Sequence, residues 1–392
     1  MGTTALVAAG LMMGSAYAAD GGVKLGIGGM YRGAYGGHFD TQDSDTGNVE
    51  DLKLDRGDVV KQDIEVHFKG EAVLDNGLTV GARVELEGQT SGDQIDATYA
   101  YISGGFGELR IGDDGDAYAK MCYLVPTASH VFGVDSPVFN FSNAGVFGYA
   151  ATNGTCYGAT DNATKLIYFS PNFGGFQFAV SYAPDGTEDT RNTDAGGFGT
   201  RSDSDTPYQN SEEYSVAAQF DRDFNGVHVI LGGGAAFIQD VEGAGTVPDP
   251  DLPEHYNAYA RVGFGVGDGT LTVGGAWVLR TNVRTVSFDT NGAVNGVATG
   301  DNEVFGVGVV YALDAWGIGA GWSEGLYESS CGGGDGSCED VHDIFELDGT
   351  YALGPGVDID AMVAWDIYDT GDGDNSGNVE SITAGLGLNI GF

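Results

Sequence analysis

The sequence predicts an all-β fold: a sixteen-stranded antiparallel transmembrane β-barrel whose long third loop folds inward. Three observations predict it. Short segments alternate apolar and polar residues along nearly the whole chain. The connections between them switch regularly between tight turns and long loops. One connection of about fifty residues, 113–162, has no alternation of its own, and a loop of that length in a compact domain is usually functional.

Composition narrows the classes. Of 392 residues 68 are Gly, well above the usual share of about 7%, and there is no collagen-like period. With 57 acidic and 16 basic residues the formal charge is -41, which excludes a nucleic-acid partner, because phosphates need Lys and Arg. Aromatic residues make up 11%, too many for an acidic disordered chain.

Residues 1–18 read as a signal peptide. A short apolar run at 5–13 is followed by Ser15-Ala16-Tyr17-Ala18, a small-x-small cleavage site. The basic n-region is missing, which points to a start codon a few positions upstream. No other stretch approaches eighteen apolar residues, so there is no transmembrane helix. The mature chain, 19–392, is then a single barrel. In an exported chain four cysteines favour disulfides. Cys122 and Cys156 share the central loop and Cys331 and Cys338 a later one; local pairing closes the shortest loops among the three possible connectivities.

The elements follow in order. Strands are expected near 23–35, 58–71, 78–87, 94–103, 107–112, 163–170, 176–183, 213–221, 227–238, 255–265, 270–281, 303–312, 316–325, 343–352, 357–367 and 380–392. Asp63-Ile-Glu-Val-His-Phe-Lys69 shows the pattern: every charged or polar side chain on one face, every apolar one on the other. Most strands are about ten residues long, enough to cross a bilayer when tilted. Asp75-Asn76-Gly77, Gly104-Gly105, 172–175, 222–226, 267–269, Asp314 and 354–356 are tight turns with fitting chemistry. Between them come the long loops 36–57, 113–162, 184–212, 239–254, 282–302, 326–342 and 369–379; only 88–93 is short where a long one is due. A soluble sandwich has no reason to segregate loop lengths in this way.

The last strand sets Ile382, Ala384, Leu386, Leu388, Ile390 and Phe392 on one face and ends on that Phe. With the signal peptide, the sixteen strands and the long third loop, the chain resembles the trimeric general porins of Gram-negative bacteria. The resemblance implies an outer-membrane channel, a homotrimer, and partners in outer-membrane lipid and lipopolysaccharide. It implies passive diffusion of small hydrophilic solutes and ions, with the acidic balance adding a cation preference. It also implies a third loop that presents acids across from wall arginines. Pro137-Val138-Phe139 matches the frame of the family's Pro-Glu-Phe element without its acid, and Asp135 is the substitute at hand.

Lipid dictates which face is apolar, because a spanning sheet must close and pair all its backbone groups internally. Leu25, Ile27, Tyr31 and Tyr35 then point outward, leaving Lys24 and Arg32 inward. Lys61, Arg83, Glu85, Glu108 and Arg110 follow on the same inner wall, and the loop is expected to offer Asp113, Asp114, Asp116 and Asp135 to it as a pore constriction. For any one of these the plain alternative is a wall ion pair.

Other signals are weaker. Asp372, Asp374 and Ser376 resemble the first half of a calcium loop, but Thr383 stands where the bidentate Glu is required. Calcium at the acidic outer loops, shared with lipid headgroups, is the one cofactor the sequence suggests, and none is required. The six histidines show no metal-ligand spacing and no catalytic motif occurs, so no enzyme activity is expected. A substrate-specific channel is the nearest alternative. A plugged calcium-binding or adhesive surface barrel is the alternative from another class.

Overall fold

The computed structural model describes residues 22–42, 57–89, 94–135, 137–142, 153–160, 162–184, 186, 210–241, 252–288, 294–330, 337–369 and 378–392. The signal segment, the calcium-like stretch at 372–376 and Cys331 lie outside these.

Sixteen strands follow one another: β1 (Lys24–Gln42), β2 (Asp58–Val73), β3 (Thr79–Glu87), β4 (Ile95–Gly104), β5 (Gly107–Asp113), β6 (Thr164–Phe169), β7 (Phe176–Ala183) and β8 (Asn210–Phe224) form the first half. The second half is β9 (Val227–Val241), β10 (Glu254–Val266), β11 (Gly269–Phe288), β12 (Val294–Leu313), β13 (Trp316–Ser330), β14 (Ser337–Gly354), β15 (Val357–Asp369) and β16 (Asn378–Gly391). Each pairs antiparallel with the next, and β1 pairs with β16 to close the barrel. The last residue takes part in the closure: Gly29 N donates to Phe392 O at 2.8 Å and Phe392 N donates to Gly29 O at 3.1 Å.

The short turns are as tight as their chemistry predicts. Asn225 and Gly226 alone join β8 to β9, with φ of 50° and 87°, the left-handed pair whose twist suits a two-residue hairpin. Two expected long loops are corrected. Within 282–302, β11 and β12 continue as a paired ribbon with Val283 opposite Gly300 and Val286 opposite Val297. Within 326–342, β13 and β14 stay paired out to Ser330 opposite Ser337. A ribbon that leaves the lipid has no required apolar face, so alternation need not mark it.

One face of the sheet carries a belt of exposed large apolar side chains, among them Ile27, Phe68, Ile111, Val180, Val216, Leu231, Val273, Phe305, Ile318, Leu347, Val363 and Leu386. In water such a surface would be an aggregation hazard; in a bilayer it is the lipid face.

The opposite face holds the hydrophobic core, and the long loop supplies ten of the twenty-four residues in its buried clusters. Val131, Phe132, Phe139 and Phe141 pack with Ala34, Met362 and Ala364. Tyr118 and Ala159 pack with Ala236, Ile238, Val278 and Val304. Val125 and Val134 join Ile230, Tyr259, Ala276 and Ile344, and Ala117 and Met121 join Ile167, Ala179 and Ala217. One segment touches β1 and β16 at one end of its path and β6 to β9 at the other. In a closed barrel only an inward-folded segment can do so. Burying Tyr118, Phe132, Phe139 and Phe141 at about 1.5–3 kcal/mol each contributes on the order of 10 kcal/mol to seating it.

Glycines make the seat. A Cβ on Gly308 would lie 2.2 Å from Pro126 O, and one on Gly387 would lie 2.5 Å from Val131 Cγ2. Gly317, Gly319 and Gly321 face Ala128 and Val134 in the same way. Their small size admits the loop to the wall.

Candidate functional site

Charged side chains line the inner wall of β1 to β5, where described loop residues make contact at Ala34, Lys61 and Arg110. Regular register sets Arg32 opposite Asp63, Lys69 opposite Arg83, His67 opposite Glu85 and Tyr101 opposite Arg110 on that wall. The cations Lys24, Arg32, Lys61, Lys69, Arg83 and Arg110 are balanced in number by Asp63, Glu65, Glu71, Glu85, Glu87 and Glu108.

They divide into separate groups. Arg32 Nη1 lies 3.4 Å from Asp63 Oδ2. Lys61 donates to the carbonyl of Asn140 in the loop and lies 5.3 Å from the centre of the Phe141 ring. Lys69 pairs with Glu71 at 2.9 Å, and the Tyr101 hydroxyl donates to the same carboxylate at 2.6 Å. Arg83 pairs with Glu85 and reaches His67 Nδ1 at 3.0 Å. Arg110 donates to Glu108 at 2.6 Å and to Asp114 at 2.8 Å, its guanidinium between the Tyr99 and Phe169 rings. Half-exposed pairs of this kind contribute about 0–1 kcal/mol each. The barrel does not depend on them; what they set is the field in the bore.

The wall residues expected from the sequence therefore share one face, but not one level. Lys24 stands eight residues before Arg32 on β1, about 27 Å along a strand, and sits opposite Glu71.

The expected loop acids are placed elsewhere. Asp113 ends β5 and accepts from the Thr164 hydroxyl on the neighbouring strand. Asp114 is buried, held by Arg110 and Lys120. Asp116 caps the short helix α1 (Ala117–Lys120), accepting from Ala119 N and Ala159 N, both at 2.7 Å. Its burial pushes the carboxyl up from the ordinary aspartate value. Asp135 is buried too; it accepts from Val125 N at 3.2 Å and from the Thr155 hydroxyl. Burial raises its pKa to about 6. A loop leaving its strands must satisfy its own backbone donors, and these carboxylates do that work instead of facing the bore.

Several residues the sequence did not single out hold the loop from the far wall. Asp348 accepts from Ala128 N and Ser129 N at 2.6 and 2.8 Å, and Asp360 accepts from His130 N at 3.2 Å. The Asp360 carboxylate beside it also raises the His130 pKa. Arg261 donates to Leu124 O, and Arg280 donates to Gly154 O at 2.8 Å. Their partners are main-chain groups, which leave no trace in a sequence. Cys122 and Cys156 are disulfide-bonded, joining the two passes of the loop, as local pairing predicts.

This is a membrane-spanning barrel whose lumen is lined by charge on one side and narrowed by its own loop on the other. The Gram-negative porin family matches residues 2–371. The chain belongs to that family. The porin is 33% identical over 148 residues to outer membrane porin protein 32 of Delftia acidovorans. That match covers 33% of this chain and 38% of the relative, so it spans well under two thirds of the relative's length. In-vitro folded OmpT, an outer membrane protein of Vibrio cholerae, superposes with a TM-score of 0.57 at 13% identity, over 96% of this chain and 99% of its own. An anion-selective porin from Comamonas acidovorans does so with a TM-score of 0.53 at 15% identity, over 94% and 100%. At those identities the likeness is one of fold. Family and architecture together make the porin a protein of the bacterial outer membrane.

Proposed function

We propose that the porin lets small hydrophilic solutes and ions diffuse passively through the bore between β1–β5 and the seated loop. One observation carries this reading. The inner faces of β2 and β3 carry partly exposed charged pairs, met by the described loop residues at Lys61, whereas Tyr118, Val125 and Val134 of the loop pack on the apolar inner faces of β9 to β12. A wall of partly exposed ion pairs is wet, and a wet passage between charged groups favours dipolar solutes that can orient in the field.

The working unit is a homotrimer, in keeping with a Vibrio cholerae neighbour described in its trimer form. Outer-membrane lipid and lipopolysaccharide cover the apolar belt. Cations are preferred, and the preference arises at the mouths. Named charges on the bore wall balance, so the excess behind the net charge of -41 lies elsewhere on the chain. A field from the rims is screened over ~8 Å in physiological salt. The preference therefore weakens as salt rises. The Comamonas neighbour, described as anion-selective, has the same fold, so the sign of selectivity belongs to side chains and not to the barrel.

Single-channel recording in planar bilayers tests the reading. A large ohmic conductance is expected, with a reversal potential in a salt gradient that reports cation preference and shrinks as both salts are raised together. A silent protein, or a current saturated by one solute, would overturn free diffusion.

A further inference from the structure

The alternation Glu65-Val66-His67 on β2 puts both polar side chains on the inner wall, and register sets Glu85 of β3 directly opposite His67. His67 Nε2 lies 2.6 Å from Glu65 Oε2 and 3.9 Å from Glu85 Oε2. One ligand atom from each of the three residues falls within 4.8 Å of the other two. Around an ion with bonds of ~2.0–2.2 Å, neighbouring ligand atoms sit roughly 3–3.5 Å apart in tetrahedral geometry, so side-chain adjustments of about 1–2 Å at most close the set. The side chains are only 13–15% exposed and stand on two strands locked in one ladder, which fixes their spacing.

We propose that Glu65, His67 and Glu85 form a binding site for a divalent transition metal of the zinc class on the wall of the bore. Two carboxylates neutralise the ion and the imidazole selects its type, because calcium and magnesium take oxygen ligands. Water supplies the remaining position. Glu87, opposite Glu65, adds a further carboxylate to the local field.

Arg83 is the competitor. Its Nη2 lies 3.0 Å from His67 Nδ1, which must accept, so in the metal-free wall the imidazole proton sits on Nε2 and points at Glu65. The metal takes the Nε2 lone pair, the ring proton moves to Nδ1, and Arg83 gives up that contact while keeping Glu85. The cation thus sets the affinity of the site, and metal and guanidinium exclude one another at His67. Helical spacing rules look for His at i and i+4; here the signal is i, i+2 on a strand plus its ladder partner, which only the register reveals.

Only the effect on current rests on the proposed conduction path; binding does not. Co²⁺, added to the purified full-length porin in detergent, serves as the spectroscopic probe, with Zn²⁺ as displacer. Wild type is expected to show visible d–d absorption that saturates and is abolished by Zn²⁺. His67→Ala should bind one equivalent fewer per chain, while Arg83→Ala should bind about tenfold tighter, the order expected on removing one positive charge beside a divalent ion in water. Heat-modifiable electrophoretic mobility reports that the barrel is intact. Should His67→Ala lose the barrel, Glu85→Gln, close in size and shape, carries the same comparison. In planar bilayers Zn²⁺ should lower the wild-type current and leave that of His67→Ala unaltered. Equal Co²⁺ stoichiometry in wild type and His67→Ala, each folded, overturns the site and leaves the conduction reading standing. Binding lost with His67 but no effect of Zn²⁺ on current upholds the site and counts against the bore.

Discussion

Replacing Gly308 by Ala tests whether the loop is seated on the inner wall. In the folded porin the new Cβ would lie 2.2 Å from Pro126 O, 3.2 Å from Pro126 C and 2.8 Å from Val125 Cγ1. Ordinary contact starts near 3.4 Å, so the Pro126 carbonyl must retreat by about 1.2 Å. The β12 backbone cannot yield outward, because β11 and β13 hold it on both sides. The loop therefore moves toward the bore. Overpacking of this size costs about 1–3 kcal/mol, well below the ~10 kcal/mol contributed by the four aromatic anchors, so the loop stays seated but displaced. Urea unfolding in detergent micelles should show the loss of stability, and planar bilayers a lower unit conductance. Gly265→Ala, whose Cβ meets nothing within 4 Å, is the control and should match wild type in both. If Gly308→Ala and even Gly308→Leu fold and behave like that control, the loop does not rest on β12 and the reasoning fails.

Further predictions concern the two faces and the loop itself. Arg83→Ala should leave folding intact and raise cation preference, read from reversal potentials, whereas Val84→Arg on the lipid face should cost ~2–4 kcal/mol in unfolding experiments. Equal effects of both on stability would reject the assignment of faces. Replacing Cys122 and Cys156 together by Ser frees a loop closed over a sequence separation of 34 and should lower stability by about 4 kcal/mol through the entropy of the unfolded chain. Asp135 binds its proton more tightly folded than unfolded, at about 6 against 3.8, so its contribution is fully present at low pH. It is lost as pH rises from about 4 through 6, by roughly 3 kcal/mol. Asp135→Asn keeps an acceptor for Val125 N and should flatten that part of the stability profile; an unchanged slope would show that another group titrates there.

What could be read in advance follows from what each face of a strand meets. On β2 and β3 one face meets lipid and the other water, so Asp63–Lys69 alternates cleanly and its assignment holds. On β9 and β12 the outer face meets lipid and the inner face meets the loop. Val304, Gly306 and Gly308 therefore alternate with Phe305 and Val307, apolar against small, and carry no polar signal. The same cause hid the loop's seat: nothing in the sequence shows that Gly319 meets Ala128 N or that Gly321 meets the Val134 side chain. Asp116 and Asp135 fail for a related reason. In sequence, a carboxylate that will face a pore is indistinguishable from one that will cap backbone N–H groups, because its partners are main-chain atoms fixed only by the path of the loop. Asp116 did carry a local hint, since it precedes Ala117-Tyr118-Ala119 as a helix cap, but a four-residue helix is too short to announce itself by period. Charge on an inner face therefore does not by itself separate a wall of partly exposed pairs, as at Lys69 and Glu71, from one that holds the loop, as at Asp348 and Asp360.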